Sequence, residues 1–117
     1  MTEYVLGFLF SESLNSVLLI RKKRPEWQAG RLNGIGGHIE ENEFPIQAMI
    51  REFKEETGLD IKDWQQFATM KDENVVYCFC AKDDMLNFAQ DETDEKLQTI
   101  YTYKEIDNHF IDNLSFL

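Results

Sequence analysis

The chain has 117 residues, enough for one domain that buries roughly two-thirds of its unfolded surface, and 43% of them are hydrophobic. Acidic residues outnumber basic ones by 22 to 12, for a formal net charge of −10. That balance excludes the basic face needed to bind nucleic acid or an anionic membrane, and it lets the chain act on phosphates only with a divalent cation between the two. The opening MTEYVLGFLF has neither the basic start nor the cleavage site of a signal peptide, and no stretch is long enough to cross a bilayer. YVLGFLF (4–10) and SVLLIRK (16–22) are β-prone runs around the polar SESLN, which predicts a hairpin. The glycine-rich segment 22–37 is irregular, with a short strand expected near Arg31–Ile35. A helix is predicted between Pro45, suited to a first helical position, and Gly58, suited to the position just past the end. Ile46, Met49, Ile50, Phe53 and Thr57 give it a core-facing stripe, and Asn42 or Glu43 is expected to cap it. WQQFATMK (64–71) and NVVYCFCAK (74–82) read as two strands about a DEN turn. Cys78 and Cys80 share a face of the second, a spacing that suits neither a disulfide nor a common metal pattern, so a reducing, cytoplasmic setting is expected. An acidic connection (83–96), a strand (97–103) and a partly helical end (104–117) complete the chain. Strands on both sides of one central helix give an α/β class, a sandwich with a mixed sheet, as a single domain over 1–117.

The chemistry lies on that helix. Glu52, Glu55 and Glu56 stand at i, i+3 and i+4 and share a face roughly 120° from the apolar stripe. A solvated acidic face is the plain alternative. Two neighbours argue for more. The pair Gly36-Gly37 lets backbone approach a ligand closely, and Arg51 can orient an adjacent carboxylate. Hard oxygen ligands on a rigid face suit Mg²⁺ or Mn²⁺, which would offset the repulsion and lower the pKa of a bound water.

Gly37, Glu43, Arg51, Glu52, Glu55, Glu56 and Gly58, followed by the apolar Leu59, fall without a gap on a known signature, the Nudix box (37–59). The chain therefore resembles the Nudix hydrolases. Phe53 departs from it mildly, standing where an aliphatic residue is usual. The resemblance implies an α/β/α sandwich with a loop–helix–loop catalytic motif and metal-dependent cleavage of a nucleoside diphosphate linked to another group. By matching position, Glu55 and Glu56 would be metal ligands, and Glu52 a ligand or the general base held by Arg51. The carbonyl of Gly36 would be a further ligand, with Glu43 supporting the site.

The segment KKRPEWQAGRLNGIGGHIE is also similar to that of MutT-type members, which hydrolyse oxidised purine nucleoside triphosphates such as 8-oxo-dGTP. On that likeness Asn33 and Trp27 would meet the base and Gly37 the substrate. Lys23, in the run Lys22–Arg24, would meet the phosphates. Glu95, with Glu92 and Asp94 as alternatives, would add a distal metal ligand, and Asp112 or Asn113 would read the base. Each has a plain counterpart: a core-edge tryptophan, a turn asparagine, a solvated acidic loop, lysines balancing nearby acids. His38, where relatives often carry lysine, and His109 read as surface residues. The implied partner is a small nucleotide, with the chain a monomer or a homodimer. A hydrolase of ADP-ribose or another conjugate, or a non-catalytic nucleotide sensor, is the competing reading.

Overall fold

The computed structural model describes residues 1–101. In chain order they form β1 (Glu3–Phe10), β2 (Ser16–Arg21), a 3₁₀ turn (Glu26–Gln28), β3 (Leu32–Asn33) and β4 (Ile35–His38). Then come α1 (Pro45–Thr57), β5 (Gln65–Lys71), β6 (Val75–Lys82), a second 3₁₀ turn (Asp84–Phe88) and β7 (Lys96–Tyr101). The predicted C-terminal segment 104–117, with Asp112, Asn113 and His109, lies outside the described residues.

β1 organises the mixed sheet. It runs parallel to β6 from Glu3↔Val75 to Phe10↔Lys82, and β5 adds antiparallel to the far edge of β6. The other edge of β1 is shared. Its last residues pair with β2 (Leu9↔Leu18, Phe10↔Val17) and its first half pairs with β4 (Tyr4↔His38 to Gly7↔Ile35). β2 in turn diverges from β1 to meet β3 (Ile20↔Asn33), while β7 lies along its outer edge. The expected single strand near Arg31–Ile35 is thus two short strands. They break at Gly34, where the chain passes from the edge of β2 to the edge of β1.

Side chains of β1 alternate between two apolar faces, so the strand reads as an unbroken hydrophobic run. Val5 and Leu9 join Leu18, Ile20 and Ile35 under α1, which contributes Ala48, Met49 and Phe53. Leu6 and Phe8 face the other way with Val17, Leu19, Leu32, Cys78 and Ile100. Phe53 is fully buried and meets Trp64 edge-on, with ring centroids 4.9 Å apart. Truncating such a phenylalanine to alanine typically costs about 3–5 kcal/mol. The aromatic ring at this box position is therefore a core residue.

The ends of α1 follow the sequence closely. Pro45 is the first helical residue, and Gly58 (φ 78°) ends the helix in the left-handed region, its N–H donating to Lys54 O at 2.9 Å. The cap differs from expectation. Neither Asn42 nor Glu43 caps the helix; instead the side-chain carbonyl of Gln47 reaches back to accept the Phe44 N–H at 2.8 Å. Glu43 accepts from Glu40 N–H (2.9 Å) and from Arg51, so its oxygens are already engaged.

Candidate active site

The site begins where β4 passes over β1. A side chain on Gly36 would place Cβ 1.9 Å from the Val5 carbonyl oxygen, so only glycine permits this strand pairing. At Gly37 the neighbour is different. A Cβ there would lie 2.6–2.7 Å from the Glu52 carboxylate, which therefore rests against bare backbone. Strand and helix meet at this point.

Arg51 fastens the arrangement. Its Nε and Nη2 donate to the two oxygens of Glu43 at 2.7 and 3.0 Å, a forked pairing that only a guanidinium makes. Nη2 also donates to His38 O at 3.0 Å, and Nη1 reaches Glu52 Oε1 at 2.9 Å and Glu55 Oε2 at 3.2 Å. Glu40 lies 3.3 Å from the same nitrogen. The hydrogen bond from Arg51 holds the Glu43 carboxyl below its ordinary pKa, and Glu43 in turn raises the guanidinium.

Glu52 and Glu56 behave in the opposite way. Burial raises the Glu52 pKa and outweighs its bond to Arg51. Burial also raises Glu56, against a hydrogen bond from Thr93 Oγ1 (3.1 Å) and with the charges of Glu95 and Glu52 adding to the rise. Two adjacent, half-buried carboxylates thus carry charge that the protein compensates only in part. Arg51 takes one oxygen of Glu52 and Thr93 one oxygen of Glu56, leaving a second oxygen on each.

This donor set fits a hard divalent cation. Carboxylate oxygens of Glu52, Glu55 and Glu56 and the Gly36 carbonyl are the ligand types Mg²⁺ and Mn²⁺ prefer, and a cation would relieve the charge that burial penalises. Among the described residues no three acidic, cysteine or histidine side chains already close around a cation position. Glu55 is about half exposed and pairs with Arg51 at 3.2 Å.

A cleft of 630 Å³ opens beside these acids. Gly36, Gly37 and Glu56 line it, as do Ile20 of β2 and Lys22 just after it, Trp27, Gln28 and Asn33, and Tyr4, His38, Asp72 and Glu73. Asn33 is buried; its Oδ1 accepts the Gly34 N–H at 2.8 Å and its Nδ2 faces Gln28 Oε1 at 3.4 Å. It therefore shapes the turn and lines the cleft together. Trp27 is 57% exposed and lies against the cleft, away from the core. Lys23 lies outside the cleft lining, and its neighbour Lys22 is the lysine within it.

Glu95 is buried at 5% exposure. It accepts from Lys22 Nζ (3.1 Å), Lys23 N–H (2.6 Å) and Arg24 N–H (3.3 Å). Burial opposes its ionisation, but these donors outweigh the penalty and keep its pKa low. Asp94 pairs with Arg24, and the Glu92 N–H donates to Glu56 O at 3.3 Å. The acidic loop thus lies against both the Lys22–Arg24 segment and the end of α1. Gln28, Tyr4, Asp72, Glu73, Glu40 and Thr93 are among the residues that no sequence motif marked. Thr93 lies inside the acidic loop 91–96, and a lone hydroxyl among carboxylates carries no spacing signal.

Comparison with known proteins accords with this fold. Residues 2–115 match the NUDIX domain. No curated relative matches the chain. Among solved structures, MutT of Aliivibrio salmonicida and Vibrio cholerae is similar at a TM-score of 0.75 and 21% identity, over 87% of this chain and 81% of that one. A MutT NUDIX hydrolase of Burkholderia pseudomallei is similar at 0.74 and 16% identity, over 97% and 98%. Those identities speak for the fold alone. The domain match spans nearly the whole sequence, and the chain belongs to the Nudix family of hydrolases that act on pyrophosphate bonds.

Proposed function

We propose that this chain hydrolyses nucleoside triphosphates, with 8-oxo-dGTP the first substrate to try, to the monophosphate and pyrophosphate in the presence of Mg²⁺ or Mn²⁺. One observation carries the reading: a single cleft is lined by Glu56 of α1 and the Gly36–Gly37 backbone together with Asn33, Gln28 and Trp27. Its 630 Å³ lies within the size range of small-ligand sites.

Nudix hydrolases generally use divalent metal ions. Glu52, Glu55, Glu56 and the Gly36 carbonyl would hold the ion, with Glu95 as the distal acid once it leaves Lys22. When bound, the ion neutralises phosphate oxygens and makes a nearby water more acidic. The protein does the rest. Glu52 or Glu56 accepts the water's proton. The water oxygen bonds to phosphorus, the bridging P–O bond breaks, and the leaving phosphate takes the electron pair. Arg51 keeps Glu52 in place through both steps, and Glu43 keeps Arg51 in place. Asn33, Gln28 and Trp27 orient the base, Gly37 lets the phosphates approach, Lys22 or Lys23 counters their charge, and Asp112 adds a base contact.

Among the described residues no helix is long and apolar enough to cross a membrane. A reducing, cytoplasmic setting belongs to the same reading, supported by the two thiols that share β6. A panel of canonical and oxidised nucleoside triphosphates, with ADP-ribose and related conjugates, tests it by product release with Mg²⁺ and with chelator. Turnover of triphosphates to monophosphate is the expected result. Turnover confined to conjugates would overturn the triphosphate reading, and no turnover at all would favour a sensor.

A further inference from the structure

We infer that Thr93 is a positioning residue for Glu56, fixing the plane of its carboxylate by engaging one oxygen and leaving the other available. The inference rests on the reading above, in which Glu56 holds the divalent ion. The Thr93 hydroxyl has two polar neighbours. It accepts the Glu95 N–H at 3.2 Å and lies 3.1 Å from Glu56 Oε2. A backbone N–H can only donate, so one lone pair of Oγ1 is committed to it and the hydroxyl proton is directed at Glu56. A carboxylate that accepts such a bond on one oxygen is fixed in rotation about its last torsion, and Oε1 is then the oxygen turned elsewhere.

The support behind Thr93 is itself anchored. Glu95, whose N–H engages Thr93, is buried and held by three donors from Lys22, Lys23 and Arg24. Glu92 N–H meets Glu56 O on the other side of Thr93. The threonine therefore stands between two fixed points, one on α1 and one on the segment after β2. Its hydroxyl is the side-chain link from this loop to the acids of α1.

The acids weighed from sequence at this loop are Glu92, Asp94 and Glu95, yet the side chain that touches Glu56 is neutral. Neutrality suits the task. A further carboxylate would add repulsion beside Glu52, Glu56 and Glu95, whereas a hydroxyl donates a hydrogen bond to the ionised form.

The test compares Mn²⁺ affinity by titration calorimetry across wild type, Glu56→Gln, Thr93→Val, Thr93→Ser and the double variant Thr93→Val/Glu56→Gln, with melting temperatures as control. Thr93→Val keeps the shape and removes the hydroxyl; it is expected to weaken Mn²⁺ binding about 10-fold, as loss of a partner to a metal ligand does. Thr93→Ser restores the hydroxyl and is expected to bind as wild type does. The double variant is expected to match Glu56→Gln alone, because Thr93 acts through that carboxylate. If Glu56→Gln binds Mn²⁺ normally, the reading of Glu56 as a ligand falls and this inference with it. If Glu56→Gln weakens binding but Thr93→Val does not, only the role of Thr93 is overturned. A valine effect that adds to that of the glutamine, or that serine fails to rescue, points to general loosening of the loop and also overturns it.

Discussion

Gly37 and Gly36 are adjacent, yet alanine should break them in different ways. At Gly37 the new methyl would stand 2.6–2.7 Å from the Glu52 carboxylate. Ordinary contact needs roughly 3.5 Å, so the carboxylate has to retreat by about 1 Å. It cannot do so freely, because Arg51 Nη1 holds Oε1 at 2.9 Å and Arg51 is itself held by Glu43 and the His38 carbonyl. Gly37 is not among the positive-φ residues, so alanine suits its backbone. The expected result is a fall in kcat of about 10²-fold, the scale of a 1 Å misplacement. The melting temperature should hold to within about 4 °C, near 1 kcal/mol for a domain of this size. At Gly36 the methyl meets backbone, the Val5 carbonyl at 1.9 Å, so β4 must leave β1 and folding should fail. Steady-state hydrolysis of the best substrate and thermal melts of both variants form the assay. A Gly37→Ala enzyme with wild-type turnover would refute the argument that Glu52 needs its seat on Gly37, and a stable Gly36→Ala protein would refute the packing argument.

Arg51→Lys keeps the charge but cannot serve Glu43, Glu52 and the His38 carbonyl together. A stability loss of about 2 kcal/mol, the worth of one or two charged hydrogen bonds, is expected in urea, and an unchanged midpoint would count against the network. Burial raises the Glu56 pKa, so its ionised form costs stability above the folded-state pKa, and that cost fades as pH falls through it. Glu56→Gln should therefore be more stable than wild type at neutral pH in chelator, converge on it in acid, and lose turnover by ~10²–10⁴. Urea midpoints across a pH series check the sign, and a variant less stable at neutral pH would reverse it. Glu43, whose pKa Arg51 lowers, stabilises above its unfolded value and loses that contribution as pH falls through its folded one. It is common to both proteins and drops out of the comparison.

The helix was legible because its signals are local. Pro45 and Gly58 mark its ends by backbone geometry alone, and the spacing of Met49, Phe53 and Thr57 shows its buried side. The cap was misassigned because Asn42 adopts a positive φ (66°) and Glu43 is taken by Arg51, which no spacing rule conveys. The extent of β4 was hidden for a similar reason. His38 is in a strand because Tyr4, far away in sequence, pairs with it. The shared face of Glu52, Glu55 and Glu56 followed from helical periodicity. That Glu95 would be buried on Lys22 and the Lys23 and Arg24 amides depends on two loops brought together by the β2–β7 ladder, so composition showed only an acidic stretch.

The supports of Glu52 come from one short run of chain: Gly37 beneath it, Arg51 beside it, Glu43 and His38 behind Arg51. The cleft shares Gly37 and His38 with that run but takes most of its walls from elsewhere, from β1, β2, the Trp27–Asn33 stretch and the β5–β6 turn. The seat of Glu52 and most of the cleft wall therefore come from different stretches of sequence. Under the proposed function, changes at Trp27, Gln28 or Glu73 are expected to alter recognition without touching the supports of Glu52, which makes those walls the place to graft new selectivity.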